Sequence, residues 1–112
     1  MAKYFDIKIK DDDIVLDGNQ AVIITDIDVI VQDLVHAIRE SGYLVEMVAE
    51  RSAERRQLLL LNIILLVEDD KRIIPGTVEL NASPDNFNVN RGHWTLKANT
   101  YEFGQLDLEL NS

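Results

Sequence analysis

Arg55 to Leu80 reads RRQLLLLNIILLVEDDKRIIPGTVEL, an aliphatic run, a knot of charge and a short strand-like tail. Leu58 to Leu61 and Ile63 to Val67 would be apolar on nearly every side of a helix. Ser52 offers an N-cap, and Ala53 to Gln57 are helix formers. The length of the run and its helix-favouring lead favour a helix buried all round over a buried strand, the other structure a continuous aliphatic run allows. The knot then sets Glu68, Asp69 and Asp70 at the helix end where the macrodipole disfavours negative charge, by ~0.3 to 1 kcal/mol apiece when exposed. Either this is a solvated helix end, or Lys71 and Arg72 fold back onto the acids, or a cation from another chain meets them. The conflict makes Glu68, Asp70, Lys71 and Arg72 candidate partner-docking residues.

Upstream, Ile27, Ile30, Val31, Leu34, Val35 and Ile38 fall at i, i+3, i+4, i+7, i+8 and i+11, one face of a helix over about Ile27 to Ser41. Thr25 or Asp26 can cap its start, Asp28 suits the positive end of the dipole, and Gly42 is a stop signal. Burying six aliphatics on that face is worth on the order of 10 kcal/mol before entropy. Tyr43 to Val48 reads as a short buried strand or as irregular packing. Nearer the N-terminus, Phe5, Ile7 and Ile9 alternate with charged residues, as a half-buried strand requires. Asp11 to Asp13 form an acidic turn. Ile14 to Leu16 and Ala21 to Ile24 flank Asp17-Gly18-Asn19, a hairpin-type turn.

Downstream, Ile73 to Leu80 alternates loosely, and Pro75 restricts it to an edge or to the beginning of a strand. Asn81 to Gly92 is polar and turn-rich, hence a loop. Trp94, Leu96 and Ala98, then Leu106, Leu108 and Leu110, alternate with polar residues and form a closing hairpin joined near Phe103-Gly104. The expected fold is one α+β domain over residues 1–112, with two main helices packed on a small, mostly antiparallel sheet that ends in a C-terminal hairpin.

Composition narrows the function classes. Eleven Lys and Arg against twenty Asp and Glu give 11 − 20 = −9, a charge that repels nucleic-acid phosphates and anionic lipid. With no cysteine there is neither a disulfide framework nor a thiolate metal site. The longest aliphatic run is too short to span a membrane and is interrupted by Asn62, and the N-terminus carries no signal-peptide pattern. The acids around Asp26 and Asp28 and from Asp11 to Gly18 lack the spacing of a calcium loop. His36 and His93 have no partner at zinc-ligand spacing. Arg51, Arg55 and Arg56 are balanced by Glu50 and Glu54, and there is no Gly-rich phosphate loop. The residues therefore point to no catalytic group, cofactor or metal.

The order of elements, with Glu68-Asp69-Asp70-Lys71-Arg72-Ile73 set before a strand, resembles the small wedge proteins of contractile phage-tail baseplates. These are often labelled lysozyme-like and have counterparts in type VI secretion baseplates. Ile38-Arg39-Glu40-Ser41-Gly42 and Ile74-Pro75-Gly76-Thr77 are similar to segments of short phage proteins of that kind. The resemblance places the family's acid, proline, arginine motif with its arginine at Arg72 and its acid at Glu68 or Asp70; the proline is missing. It implies a non-enzymatic virion protein of the tail baseplate, assembled in the host cytoplasm. Its partners would be other wedge proteins and the tail sheath, with self-association also open, and without nucleic acid or membrane. Strand addition at an edge among Trp94, Leu96, Leu106, Leu108 and Leu110 would help template the sheath. The alternatives are a head-to-tail connector, a tail-completion protein, or a cell-wall hydrolase, for which Glu40, Glu102 and the acids near Asp69 are the nominal candidates.

Overall fold

The computed structural model describes residues 2–10, 13–82 and 93–111. Six short strands come first: β1 (Phe5–Ile7), β2 (Ile9–Lys10), β3 (Asp13–Ile14), β4 (Leu16–Asp17), β5 (Gln20–Ala21) and β6 (Ile23–Thr25). Three helices follow, α1 (Ile27–Ser41), α2 (Tyr43–Ala49) and α3 (Ala53–Glu68), and then β7 (Glu79–Ala82), β8 (His93–Thr100) and β9 (Gly104–Asn111). The α+β expectation holds, and the C-terminal hairpin is part of a three-stranded antiparallel sheet of order β7-β8-β9.

The N-terminal quarter departs from a strand plus a simple hairpin. β1 pairs with β6, β2 with β3 and β4 with β5, giving three two-stranded ladders instead of one sheet. They meet at a closed ring of backbone hydrogen bonds. The Lys8 N–H donates to the Val22 carbonyl (2.8 Å), the Val15 N–H to the Lys8 carbonyl (2.9 Å) and the Val22 N–H to the Val15 carbonyl (2.9 Å). Three β-favouring triplets recur seven residues apart to make this junction: Ile7-Lys8-Ile9, Ile14-Val15-Leu16 and Ala21-Val22-Ile23. The central residue of each joins the ring, and its neighbours enter two different ladders. Gly18, at φ 63°, supplies the tight turn between β4 and β5. The acidic turn is described only at Asp13, within β3; Asp11 and Asp12 lie outside the described residues.

The Gln32 side chain ties this unit to α1, accepting from the Ile9 N–H (2.8 Å) and donating to the Ile7 carbonyl (2.9 Å). Helix α1 has the expected bounds, with Val29, Ile30, Leu34 and Ile38 buried and Gly42 closing it at φ 74°. Asp26 stands at the N-cap position without capping. Its carboxylate accepts from the Lys3 and Tyr4 N–H groups at 2.7 and 3.0 Å, fixing the incoming chain while its own φ is 49°. Tyr43 to Ala49 is neither strand nor irregular but a helix, α2, whose Leu44 and Met47 reach the core three residues apart.

Helix α3 is capped by Ser52, whose Oγ accepts from the Arg55 N–H at 3.4 Å. It is not buried all round. Ile63 and Val67 are fully enclosed, while Leu58, Leu61 and Leu65 face outward at 60, 48 and 52% exposure. The core lies between one face of the C-terminal sheet and the three helices. Leu96, Ala98, Leu106, Leu108 and Leu110 meet Ile30, Leu34, Ile38, Leu44, Met47, Ile63 and Val67. Register explains the packing, because the pairs Leu96↔Leu108 and Ala98↔Leu106 put all four residues on one face. Thr100 closes the turn: its hydroxyl donates to the Gly104 carbonyl and accepts from the Phe103 N–H, both at 2.8 Å.

The expected strand Ile73 to Leu80 is shorter, running as β7 from Glu79 to Ala82. Asn81 and Ala82 thus belong to a strand instead of the predicted loop, whose remainder, residues 83–92, lies outside the described residues. Ahead of β7, Ile73 forms an isolated bridge to Thr100, and the Ile74 N–H donates to the Asn99 carbonyl at 2.9 Å. Pro75 and Gly76 then turn the chain, with Gly76 at φ 84°.

Candidate functional site

The charged knot sits where α3 ends and the turn between β8 and β9 approaches the N-terminus. Arg72 is its centre. Its Nε donates to Asp70 Oδ1 (2.9 Å), and its Nη2 donates to Asp70 Oδ2 (2.6 Å) and to Asp33 Oδ2 on α1 (3.1 Å). The Arg72 N–H also donates to Asp70 Oδ1 at 2.9 Å. A planar guanidinium can make this fork with a carboxylate; a lysine cannot. Asp70 is held below the usual carboxylate range by the Arg72 hydrogen bonds, against partial burial that acts the other way. The same pairing pushes Arg72 above its already high value.

Aromatic rings cover the cluster. Tyr4 lies with its ring 5.5 Å from the Arg72 guanidinium carbon and edge-on to Phe103 at 5.9 Å. Lys3 pairs with Glu102 and also stands 5.7 Å from the Tyr4 ring. The N-terminal segment, the end of α3 and the β8–β9 turn are therefore joined through one arginine and one tyrosine. The cleft between them, lined by Tyr4, Lys71, Arg72 and Phe103 among others, is about 230 Å³. That is below the roughly 300 Å³ at which small-molecule pockets begin.

Of the sequence-predicted docking residues, Asp70 and Arg72 come together, and Arg72 folds back as one of the expected alternatives required. Glu68 is turned elsewhere and accepts from the Gly76 N–H at 3.3 Å. Lys71 is exposed, as is Asp69. Asp33, the third member of the cluster, was missed; its only trace in the sequence is an acid on the polar side of the α1 stripe.

The predicted strand edge divides. Strand β8 is central, so Trp94 and Leu96 lie at no edge. Strand β9, which carries Leu106, Leu108 and Leu110, is outermost, but those three side chains are buried in the core. What β9 offers outward is its backbone, with Gln105, Asp107 and Glu109 on its exposed face. The nominal hydrolase acids are dispersed: Glu40 near the end of α1, Asp69 after α3, and Glu102 in its pairing with Lys3. Among the described residues no group of three or more His, Cys, Asp or Glu could hold a metal.

The strand expected at the N-terminus forms but is not half-buried along its length: Asp6, Lys8 and Lys10 are exposed as expected, and of its apolar residues only Ile9 is half-buried. Phe5, Ile7, Ile14, Leu16 and Ile23 are 65, 38, 49, 61 and 56% exposed. The pairing Ile7↔Ile23, with Phe5 two residues before Ile7, puts these side chains on one face of their ladder. Ile14 and Leu16 likewise flank the ring residue Val15 from one side. The alternation is real, but none of its residues belongs to the core.

The chain matches the family described as protein of unknown function DUF2590 over residues 5–109. It is 45% identical over 109 residues to the uncharacterized 12.7 kDa protein in the lys 3′ region of Haemophilus phage HP1 (strain HP1c1), covering 96% of this chain and 93% of that one. No solved structure matches significantly.

Proposed function

The chain belongs to the DUF2590 family and is of a kind that phages encode, and from that premise we propose that it is a structural, non-catalytic component of the contractile tail baseplate. In this reading it docks wedge proteins and is built into the virion after assembly in the host cytoplasm. The observation that carries it is the outer face of the three-ladder junction. Five large apolar side chains lie open on a unit whose backbone is closed by its own hydrogen-bond ring. Exposed apolar groups gathered on one rigid surface mark a protein contact. Asp6, Asp13 and Asp17 and the equally exposed Lys8 and Lys10 belong to the same unit, a mixed polar rim around the apolar groups such as protein contacts carry.

A second contact is supported by β9. Its outer side pairs with no strand among the described residues, and such an edge suits strand addition by a sheath subunit. The cluster at Arg72 acts in this reading as the brace that holds the N-terminal unit at a fixed angle to the sheet.

The test is capture of tail proteins encoded beside this one by the purified chain, against a variant carrying Leu16→Ser and Ile23→Ser. The native chain retains a wedge partner, and the variant loses it while melting at an unchanged temperature. Failure of the native chain to retain any of these proteins, or equal retention by the variant, overturns the proposal. Release of peptidoglycan fragments by the pure protein would favour the hydrolase reading instead.

A further inference from the structure

Helix α3 carries a second apolar surface, on the opposite side from its buried Ile63 and Val67. Leu58, Leu61 and Leu65 are separated by three and then four residues, the spacing of the apolar seam of a coiled coil, and all three stand about half exposed. Ile64 and Leu80 extend the surface into a shallow groove beside the helix. The spacing indicates a helix as occupant, and the flanking residues specify which one. With Leu58 and Leu65 at the first seam position and Leu61 at the fourth, the fifth-position row is Arg55, Asn62 and Asp69. This row runs from positive through neutral to negative and is centred on Asn62.

We propose that two copies of this chain pair through α3 in antiparallel orientation, with Arg55 of each helix facing Asp69 of the partner subunit and the two Asn62 side chains meeting at the twofold axis. In antiparallel pairs, fifth-position residues face fifth-position residues, so the charge row is complementary to its own reversal. A parallel pair would instead set Ile64 beside the partner's Asp69 and Gln57 beside the partner's Asn62, with no opposite charges brought together. The antiparallel arrangement also sets each acidic helix end beside the positive N-terminal end of its neighbour, easing the dipole conflict at Glu68 to Asp70. It places Leu61 against the partner's Leu65 on both sides of the axis, as an isologous interface requires. Arg55 is available for this exchange. Within its own chain it reaches Glu50 at only 3.7 Å and stays 74% exposed. This pairing uses neither the junction face nor β9, so it stands or falls separately from the docking proposal.

The experiment is sedimentation equilibrium of the full chain across a concentration series, in low and high salt. A concentration-dependent dimer is expected, weakened at least tenfold by Leu61→Lys, weakened by Arg55→Asp or Asp69→Arg alone, and recovered when both reversals are present in one chain. Because the chain has no cysteine, Asn62→Cys with a short bis-maleimide reads the orientation. Cross-linking at Asn62→Cys but not at Arg55→Cys supports the antiparallel pair. A monomer throughout the series, a dimer indifferent to Leu61→Lys, failure of the double reversal to recover binding, or efficient cross-linking at Arg55→Cys overturns it.

Discussion

Arg72 grips Asp70, two residues earlier in the chain, through both carboxylate oxygens at 2.9 and 2.6 Å, and with the same Nη2 reaches Asp33 on α1. The fork closes the chain on itself just after α3 and ties that turn to the first helix. Replacing Arg72 by Ala leaves the partly buried Asp70 without its counter-charge, at a cost of about 2 kcal/mol. Thermal unfolding of Arg72→Ala should therefore fall by about 10 °C at this chain length. Arg72→Lys should recover less than half of the loss, because an ammonium cannot span both oxygens.

Acid sensitivity follows from the same pair. Asp70 is held below its ordinary 3.8 in the folded chain, so the unfolded chain takes up the proton first. Its contribution is whole above about pH 4, which is the unfolded range, and is lost as pH falls through the lower folded value. Denaturant unfolding between pH 7 and pH 2 should show a smaller acid-side loss in Asp70→Asn than in the native chain, on top of lower stability at pH 7. An equal acid slope in the two proteins would assign the acid sensitivity to other carboxylates.

Asp26 does for the N-terminal segment what Arg72 does for the turn. Its carboxylate takes the Lys3 and Tyr4 N–H groups, and its φ of 49° is one that L-residues rarely hold. Asp26→Ala removes both hydrogen bonds and keeps the strained backbone, costing about 1 to 2 kcal/mol by chemical denaturation. Asp26→Asn retains an acceptor oxygen and should cost about half as much. Hydrogen exchange at Lys3 and Tyr4 should quicken in the alanine variant before exchange in α1 does.

The two faces of α3 separate packing from surface in one helix. Ile63→Ala opens a cavity at a fully enclosed site and should cost about 2 to 5 kcal/mol. Leu61→Ala, two residues away and about half exposed, should stay within about 1 kcal/mol when measured at a concentration too low for self-association. Similar losses for the two would mean that Leu61 is covered in the monomer.

Local pattern was legible where one periodicity met one core. The α1 stripe and the alternating residues of β8 and β9 each turn one apolar face to the same core, so their spacing announced their structure. Tyr43 to Val48 was misjudged because a seven-residue helix holds fewer than two turns, too few for a 3.6-residue period to declare itself. The Arg72 cluster was half legible: acids at a helix end call for a cation, and Arg72 was nearby, but Asp33 is 39 residues away and Tyr4 is at the other end of the chain.

The sequence by itself determined the helical course of α1 and α3, the alternation of β8 and β9, the charge of −9, and the heptad order along α3, because these depend on neighbours within a few residues. Which apolar face goes inward was decided only by tertiary structure. Alternation at Phe5, Ile7, Ile14, Leu16 and Ile23 is the same signal as at Leu106, Leu108 and Leu110, yet the first set is exposed and the second buried. The reason is supply. Three helices and one sheet face enclose a single core to which no junction residue belongs, and the junction is tied to α1 by the Gln32 hydrogen bonds, so most of its apolar side chains stay turned toward solvent.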